Sequence, residues 1–501
     1  MKSEDLYNAV TELRDDQVQA GEKKLRRGRA GDFRRVGAIA AVLAVVILTG
    51  VLAGPWLGSV LRGNPEQTGT APTESTNAST ANLNKFSLAR ASYPKMAPYP
   101  DAIGIEYGDY QYSVKFRTWK AEVEALHGNT NYSADLSDYL RTAVPSLLSG
   151  AGEENRIVSP LNLYVGLAML AETTAGESRE ELLTLLNATD LDTLRTRAKA
   201  LWQDNYWDDV QTTELLAASL WLRDDWNYNQ ETVNRLAQEY YGSVFSGSMG
   251  SEDYNTALQD WMNEQTRGLL HDGIGGAKME PETVLSLVTT AYFQAEWFSE
   301  FNKTETGTFH GPRGDEACTF MCSEESGMSV CMGNGFLAGK KELKGSGSVF
   351  FVLPDQGLAP EDLLHREDFL DFLTVDLTDP ERSRCETTTL HLTMPKFDVS
   401  SQLCLNEKLK ELGVQKVFDE AKANFSPLSS DANNIALSKV SHGVRLSMDE
   451  KGVTGAAFTR DDYYLSAAED TYLTLDRPFL FVVTNNEGLP IFVGIVNNPN
   501  A

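Results

Sequence analysis

Three features of the 501-residue sequence predict an α+β fold. Segments with helical apolar spacing crowd the early part of the body, and apolar runs suited to strands crowd the late part. Hydrophobic residues make up 42% and charged residues 23%, the proportions of a globular chain rather than a disordered one. No internal repeat is present, so a solenoid or propeller is not expected.

The helices come first. "LSDYLRTAVPSLLSG" (Leu136–Gly150) reads as a helix that Pro145 should kink or shorten. "SPLNLYVGLAMLAETTAGESREELLTLL" (Ser159–Leu186) has helical spacing and a Ser-Pro start, which suits a first turn whose N–H groups need no helical partner. "ETVNRLAQEYYGSVF" reads as a further amphipathic helix. Strands are expected at Leu285–Phe293, Gly347–Pro354, Thr388–Phe397, "GVRLSMDE" and "FLFVVT". A late helix, "SQLCLNEKLKELGV", should close at Gly413.

Ahead of this body, residues 1–35 form a basic cytoplasmic segment ending in "KKLRRGRAGDFRR". Residues 36–61 (Val36–Leu61) carry no charge and exceed the ~20 residues that span a bilayer. The basic flank predicts a retained, single-pass anchor with everything after Arg62 outside the cell. A signal peptide cut after Ala53 is the rival reading, and both readings export the body. Residues 62–100 are rich in Thr, Ser and Pro and read as a flexible stalk spanning roughly 35 Å. The folded domain is placed at 101–501.

The net charge of −27 makes nucleic acid an unsuitable partner. Cys318 and Cys322 lie four residues apart, roughly 13 Å on a strand, too far to bridge each other. The cysteines read as small core residues, with one bridge involving Cys331 left open. The six histidines are scattered, so no metal or cofactor is expected. No G-x-S-x-G or H-E-x-x-H occurs. "SYPK" (Ser92–Lys95) fits S-x-x-K formally but has no K-T-G downstream and is read as chance. The chain is therefore not expected to be an enzyme.

At "LTLDRPFLFVV" (Leu473–Val483) the sequence resembles the signature of the serpin family. The resemblance extends from about Tyr132 to Pro499 through "NRIVSPLN", "AETTAGESREEL", "AYFQAEWFSEF", "MPKFDVSSQLCLNEKLKELGV" and "GIVNNP", six matches in order. It implies three β-sheets surrounded by helices, with an exposed reactive loop at 450–470. The chain then reads as a bacterial, membrane-anchored, monomeric member. In inhibitory members a serine protease cuts the loop and stays attached through a covalent bond. The loop's front half then adds a strand to the central sheet, releasing energy held in the uncut form.

The residues of the loop suit that event. The hinge, Glu450, Gly452, Val453, Thr454, Gly455, Ala456 and Ala457, has small side chains, two glycines and no proline, so it can bend and then accept ladder hydrogen bonds. By the resemblance Val453, Gly455, Ala457 and Thr459 would face the core, and Thr454, Ala456, Phe458 and Arg460 the solvent. Counting from either end of the loop puts the reactive bond at Ser466–Ala467 or Ala467–Ala468. A small residue before the cut favours an elastase-like or subtilisin-like protease, whereas a cut at Leu465–Ser466 would favour a chymotrypsin-like one.

Three further positions follow from the resemblance. Trp297 would sit at the top of the central sheet, with Ser159 and His442 lower, where its middle strands part. They would either control sheet opening or merely fill the core. Thr289 stands where the family has asparagine, which should weaken the hydrogen bonds assigned to His442. The expected function is an extracytoplasmic suicide-substrate inhibitor of serine proteases; the alternative is a non-inhibitory binding or carrier module of the same fold.

Overall fold

The computed structural model describes residues 82–100, 110–127, 133–209, 211–270, 277–345, 347–374, 385–431, 435–453 and 470–501. The proposed anchor, Val36–Leu61, lies outside them, and no helix among the described residues is long and apolar enough to cross a membrane. The first elements are β1 (Ser87–Ala89), α1 (Tyr110–His127), α2 (Ser133–Leu148), β2 (Arg156–Val158), α3 (Pro160–Glu172), α4 (Glu177–Leu185) and α5 (Leu191–Asp204). Then come β3 (Trp207–Asp208), β4 (Thr212–Arg223), α6 (Gln230–Glu239), β5 (Ser243–Gly247), α7 (Glu252–Gln265) and β6 (Leu285–Glu296). β7 (Lys303–Gly311), β8 (Gly314–Gly333), β9 (Phe336–Glu342), β10 (Ser348–Pro354), α8 (Glu367–Thr374), β11 (Cys385–Pro395) and β12 (Phe397–Cys404) follow. The chain ends with α9 (Asn406–Glu411), β13 (Lys439–Met448), β14 (Gly452–Val453), β15 (Asp470–Thr474), β16 (Phe479–Thr484) and β17 (Pro490–Val496).

The central sheet runs β1-β5-β4-β6-β14-β13-β12, with β3 on β4. The remaining strands form one hydrogen-bonded path rather than two separate sheets. β15, β11, β8 and β7 make one group, and β9, β10, β16, β17 and β2 the other. A short hairpin pairing, Val330–Gly333 on Phe336–Gly339, joins them. The third sheet of the expected three is thus continuous with the second through the 20-residue β8.

α3 lies between the two layers, every residue from Pro160 to Glu172 buried, against β4 and β6 on one side and β17 on the other. Gly166 is what lets it approach the central sheet: a Cβ there would lie 2.5 Å from Thr289 Cγ2. On the opposite face α7 packs Tyr254, Trp261 and Met262 over Trp221, Phe245 and Val288.

Several sequence expectations shift at their ends. The helix expected over Ser159–Leu186 breaks into α3 and α4, because Gly176 takes φ +54° and starts a second axis. The helix expected to run on through "YYGSVF" stops at Glu239, and Ser243–Gly247 leaves as β5 to pair with β4. Of "SQLCLNEKLKELGV" only Asn406–Glu411 is helical, since Ser401–Cys404 completes β12 against β13; Gly413, at φ +92°, closes the helix as expected. Pro145 stays inside α2, which ends three residues later at Leu148.

The stalk boundary also changes. From residue 82 the chain is already on the body: β1 pairs with β5, and Leu83 is fully buried. Apolar residues at Leu83, Phe86 and Leu88 in this stretch explain why it does not behave as a coil.

Candidate functional site

The site is the seam between β6 and β13, where two neighbouring strands run parallel and pair Thr289 with His442. At the top of this seam β14 is already wedged in. Gly452 pairs with Glu296, and Val453 pairs with Ala295 on β6 and Met448 on β13. Val453 is completely buried. Gly452 has no room for a side chain: a Cβ would sit 2.3 Å from the carbonyl oxygen of Ala295.

The turn before β14 is held from several directions. Asp449 Oδ1 accepts from the N–H groups of Lys451 and Gly452 at 2.8 and 3.1 Å. Trp297, fully buried just beyond the end of β6, donates its indole N–H to the Asp449 carbonyl at 2.8 Å. Its backbone N–H donates to the Lys451 carbonyl, and that of Phe301 to the Glu450 carbonyl, both at 3.0 Å. Glu450 is ion-paired with Lys396, the lysine of "MPKF". Burial would raise the Glu450 pKa, but the Lys396 ammonium outweighs it and holds the carboxyl below its ordinary range. Trp297 thus bonds through both its indole and its backbone to the turn that precedes β14.

Lower down, His442 is buried and its two ring nitrogens have different partners. The Ser159 N–H donates to Nε2 at 3.0 Å, and Nδ1 lies 2.8 Å from Thr289 Oγ1. Because Nε2 accepts, the neutral ring carries its proton on Nδ1 and donates to Thr289. Thr289 in turn donates to the Ser441 carbonyl at 3.4 Å. Burial pushes the His442 pKa down to about 4, which agrees with a neutral ring. The threonine at 289, where the resemblance expects asparagine, accepts from His442 across the seam.

Ser159 contributes through its backbone rather than its side chain. Among the described residues its Oγ has no partner, and neither does the amide of Asn162 three residues on. Both are fully buried at the start of α3 beneath the sheet. Buried polar groups in this condition cost roughly 1–3 kcal/mol each. Asn162 was not singled out from sequence; its polar side chain in an otherwise apolar helical stretch was the available signal.

Thr454, Gly455, Ala456, Ala457, Ser466, Ala467 and Ala468 lie outside the described residues. Beyond them the chain resumes as β15, parallel to β11 with Thr389 opposite Asp470. Cys331 and Cys385 face each other across β8 and β11 and form a disulfide, the bridge left open for Cys331. Cys318, Cys322 and Cys404 are free.

The fold and the site define a mixed-sheet protein in which a two-residue strand, Gly452–Val453, sits at the end of the seam between parallel β6 and β13. Comparison with known proteins identifies which one. The sequence profile described as "Serpin (serine protease inhibitor)" matches residues 138–499. The chain belongs to the serpin family. It is 25% identical over 396 residues to serine protease inhibitor 88Ea of Drosophila melanogaster, covering 74% of this chain and 90% of that one. To the leukocyte elastase inhibitor of Xenopus laevis it is 24% identical over 359 residues, covering 69% and 93%. Among solved structures it resembles the thermophilic serpin tengpin in its native state, with a TM-score of 0.64 at 23% identity over 74% of this chain and 95% of that one.

Proposed function

We propose that the chain is a suicide-substrate inhibitor of serine proteases, cut within 450–470 and inactivating its target by inserting the loop into the β6–β13 seam. The observation that carries this reading is β14. Gly452 and Val453 already pair with β6, and Val453 pairs with β13 as well, so insertion only has to continue a register that exists. Carried six residues further along each strand, that register brings Thr459 opposite both Thr289 and His442, the pair that now closes the seam. An inserted strand would part them by one strand spacing of ~4.8 Å and could offer the Thr459 hydroxyl to His442 in exchange. Ser159, whose N–H donates to His442, is beside this pair at the start of α3.

The target class follows from the small residues at Ser466–Ala468, which suit an elastase-like or subtilisin-like pocket. The similarity to a leukocyte elastase inhibitor is consistent with this. As a serpin the chain acts by one-time trapping rather than turnover, as a monomer, with the protease as its covalent partner. We place the body outside the cell, tethered by Val36–Leu61 in a bacterial membrane. The uncharged run, its basic flank and the Cys331–Cys385 disulfide, a bond of oxidising compartments, support this placement. The alternative, a non-inhibitory binding module, lacks an observation of its own, because charge or proline in the hinge would be its sign and neither interrupts Gly452–Ala457.

The test is a gel. Mixed with neutrophil or pancreatic elastase, the chain should give a complex that survives boiling in detergent, with protease activity lost in proportion. Complete cleavage of the loop with elastase and subtilisin activity undiminished would remove the inhibitor reading.

A further inference from the structure

We propose that residues 82–97 are a strap that ties α7 to the edge of the central sheet and sets how fast the β6–β13 seam opens, a role that rests on the strand-insertion reading above. These residues precede the segment that matches the family profile. Their sequence, "NLNKFSLARASYPKMA", interleaves apolar residues with Lys85 and Arg90. Ser87 and Ala89 pair antiparallel with Phe245 and Val244, which makes β1 the outermost strand of the sheet. Leu83 is buried in the cluster that contains Tyr254 and Trp261 of α7, and the Phe86 ring lies 5.0 Å from that of Tyr254.

Polar contacts follow the same helix from end to end. Lys85 pairs with Asp253 at 2.9 Å in the first turn of α7. Arg90 donates to both carboxylate oxygens of Glu264 at 2.7 and 2.8 Å, and the Tyr93 hydroxyl donates to Gln265 at 2.7 Å, both in the last turn. Beyond α7 the Tyr93 ring stacks on Trp202 of α5, with centroids 5.4 Å apart.

α7 also stands over the seam itself. A Cβ added to Gly443 of β13 would lie 3.3 Å from the methyl of Met262 and 3.4 Å from Leu270. In the turn that follows α7 and carries Leu270, the Leu269 carbonyl accepts from Arg445 of β13 at 2.8 Å. Opening the seam by one strand spacing moves β13 away from β6, so α7 and the turn that follows it must either slide off β5 or let go of β13. The strap opposes sliding. Opening then has to break the contacts at Gly443 and Arg445 together, and the intact sheet stays closed until the loop is cut.

The experiment uses the full-length chain and a synthetic peptide with the sequence of residues 452–464 as a probe of seam opening, followed on a native gel. A Lys85→Ala/Arg90→Ala/Tyr93→Phe variant keeps Leu83, Phe86 and the β1 ladder, so it should fold. It is expected to take up the peptide, and to lose inhibitory activity on standing, several-fold faster than the parent. Arg90→Glu alone should do the same, and Arg90→Glu combined with Glu264→Arg should return to the parental rate. A triple variant that melts earlier yet takes up peptide at the parental rate would show that the strap only adds stability, and would overturn the proposal. A parent that takes up peptide without trapping elastase or subtilisin would remove the inhibitor reading alone, and the strap would still be judged by the variants' uptake rates. A parent whose seam admits no peptide while it traps protease would overturn the strap proposal and leave the inhibitor reading standing.

Discussion

His442 accepts from the Ser159 N–H and donates to Thr289, and this arrangement exists only for the neutral ring. With the folded pKa near 4 against an unfolded value of about 6.5, the unfolded chain binds more protons between those pH values. Stability from this residue is therefore complete above about pH 6.5 and is lost as pH falls toward 4, roughly 3 kcal/mol in all. Urea unfolding at pH 7 and pH 4.5 should show this as an excess loss in the parent relative to His442→Gln, with carboxylate effects common to both. Equal losses in the two proteins would place the pH dependence elsewhere. Asn162 gives a second expectation. Asn162→Leu removes a buried amide that has no partner among the described residues, so the closed form should gain about 1–3 kcal/mol. If that amide is satisfied only after insertion, the variant should also insert more slowly and be consumed as a substrate more often, read as a higher ratio of inhibitor needed per protease. At this scale the sequence showed Trp297, His442 and Ser159 only through the family resemblance. It did not show that Ser159 bonds to His442 through its backbone, or that the Thr289 hydroxyl faces Nδ1, because both depend on which atoms face each other across the seam.

β14 is two residues long, yet it is the element on which the proposed mechanism turns. Gly452→Ala should drive it out of the seam, since the added Cβ would meet the Ala295 carbonyl at 2.3 Å. Overpacking of this kind costs roughly 1–3 kcal/mol. A protease cutting that variant should be trapped less often, measured as more cleaved loop per covalent complex. Gly455→Pro should go further and convert inhibitor to substrate, because proline fixes φ and removes a ladder donor. Trapping by Gly455→Pro as efficient as by the parent would show that insertion does not pass residue 455. Elements with a long apolar run, such as β6, β10 and β16, were legible from composition alone. β8 was not, because its Gly314–Gly333 stretch alternates burial irregularly and carries Glu, Ser and Gly throughout. The end of α6 was misjudged for a different reason: Tyr240, Tyr241 and Val244 continue a plausible helical face, and only pairing of β5 with β4 decides the matter. The strap was hidden in a stretch whose Pro, Ser and Thr content resembles a linker, although Leu83, Phe86 and Tyr93 were its visible anchors.

Across the whole molecule, the α+β class and the serpin likeness were readable because six ordered motifs span nearly the entire body, whereas the junction of the second and third sheets depends on one hairpin pairing that no local pattern encodes. The proposed topology predicts that the full-length chain partitions with membranes and is shaved from intact cells by an added protease. Recovery of a soluble body beginning near Gly54 would show instead that the apolar segment is a cleaved signal. The claim that ties residue, element and fold together is that cutting the loop drives it into the β6–β13 seam. About a dozen added strand residues, each gaining ~1 kcal/mol, would stabilise the body by on the order of 10 kcal/mol, which for a domain of this size raises the melting temperature by at least about 10 °C. The measurement is the melting temperature of the chain before and after a single cut near Ser466–Ala467. The account predicts a large rise in the cut form. An unchanged or lower melting temperature would mean that the severed loop stays outside the sheet, and would contradict it.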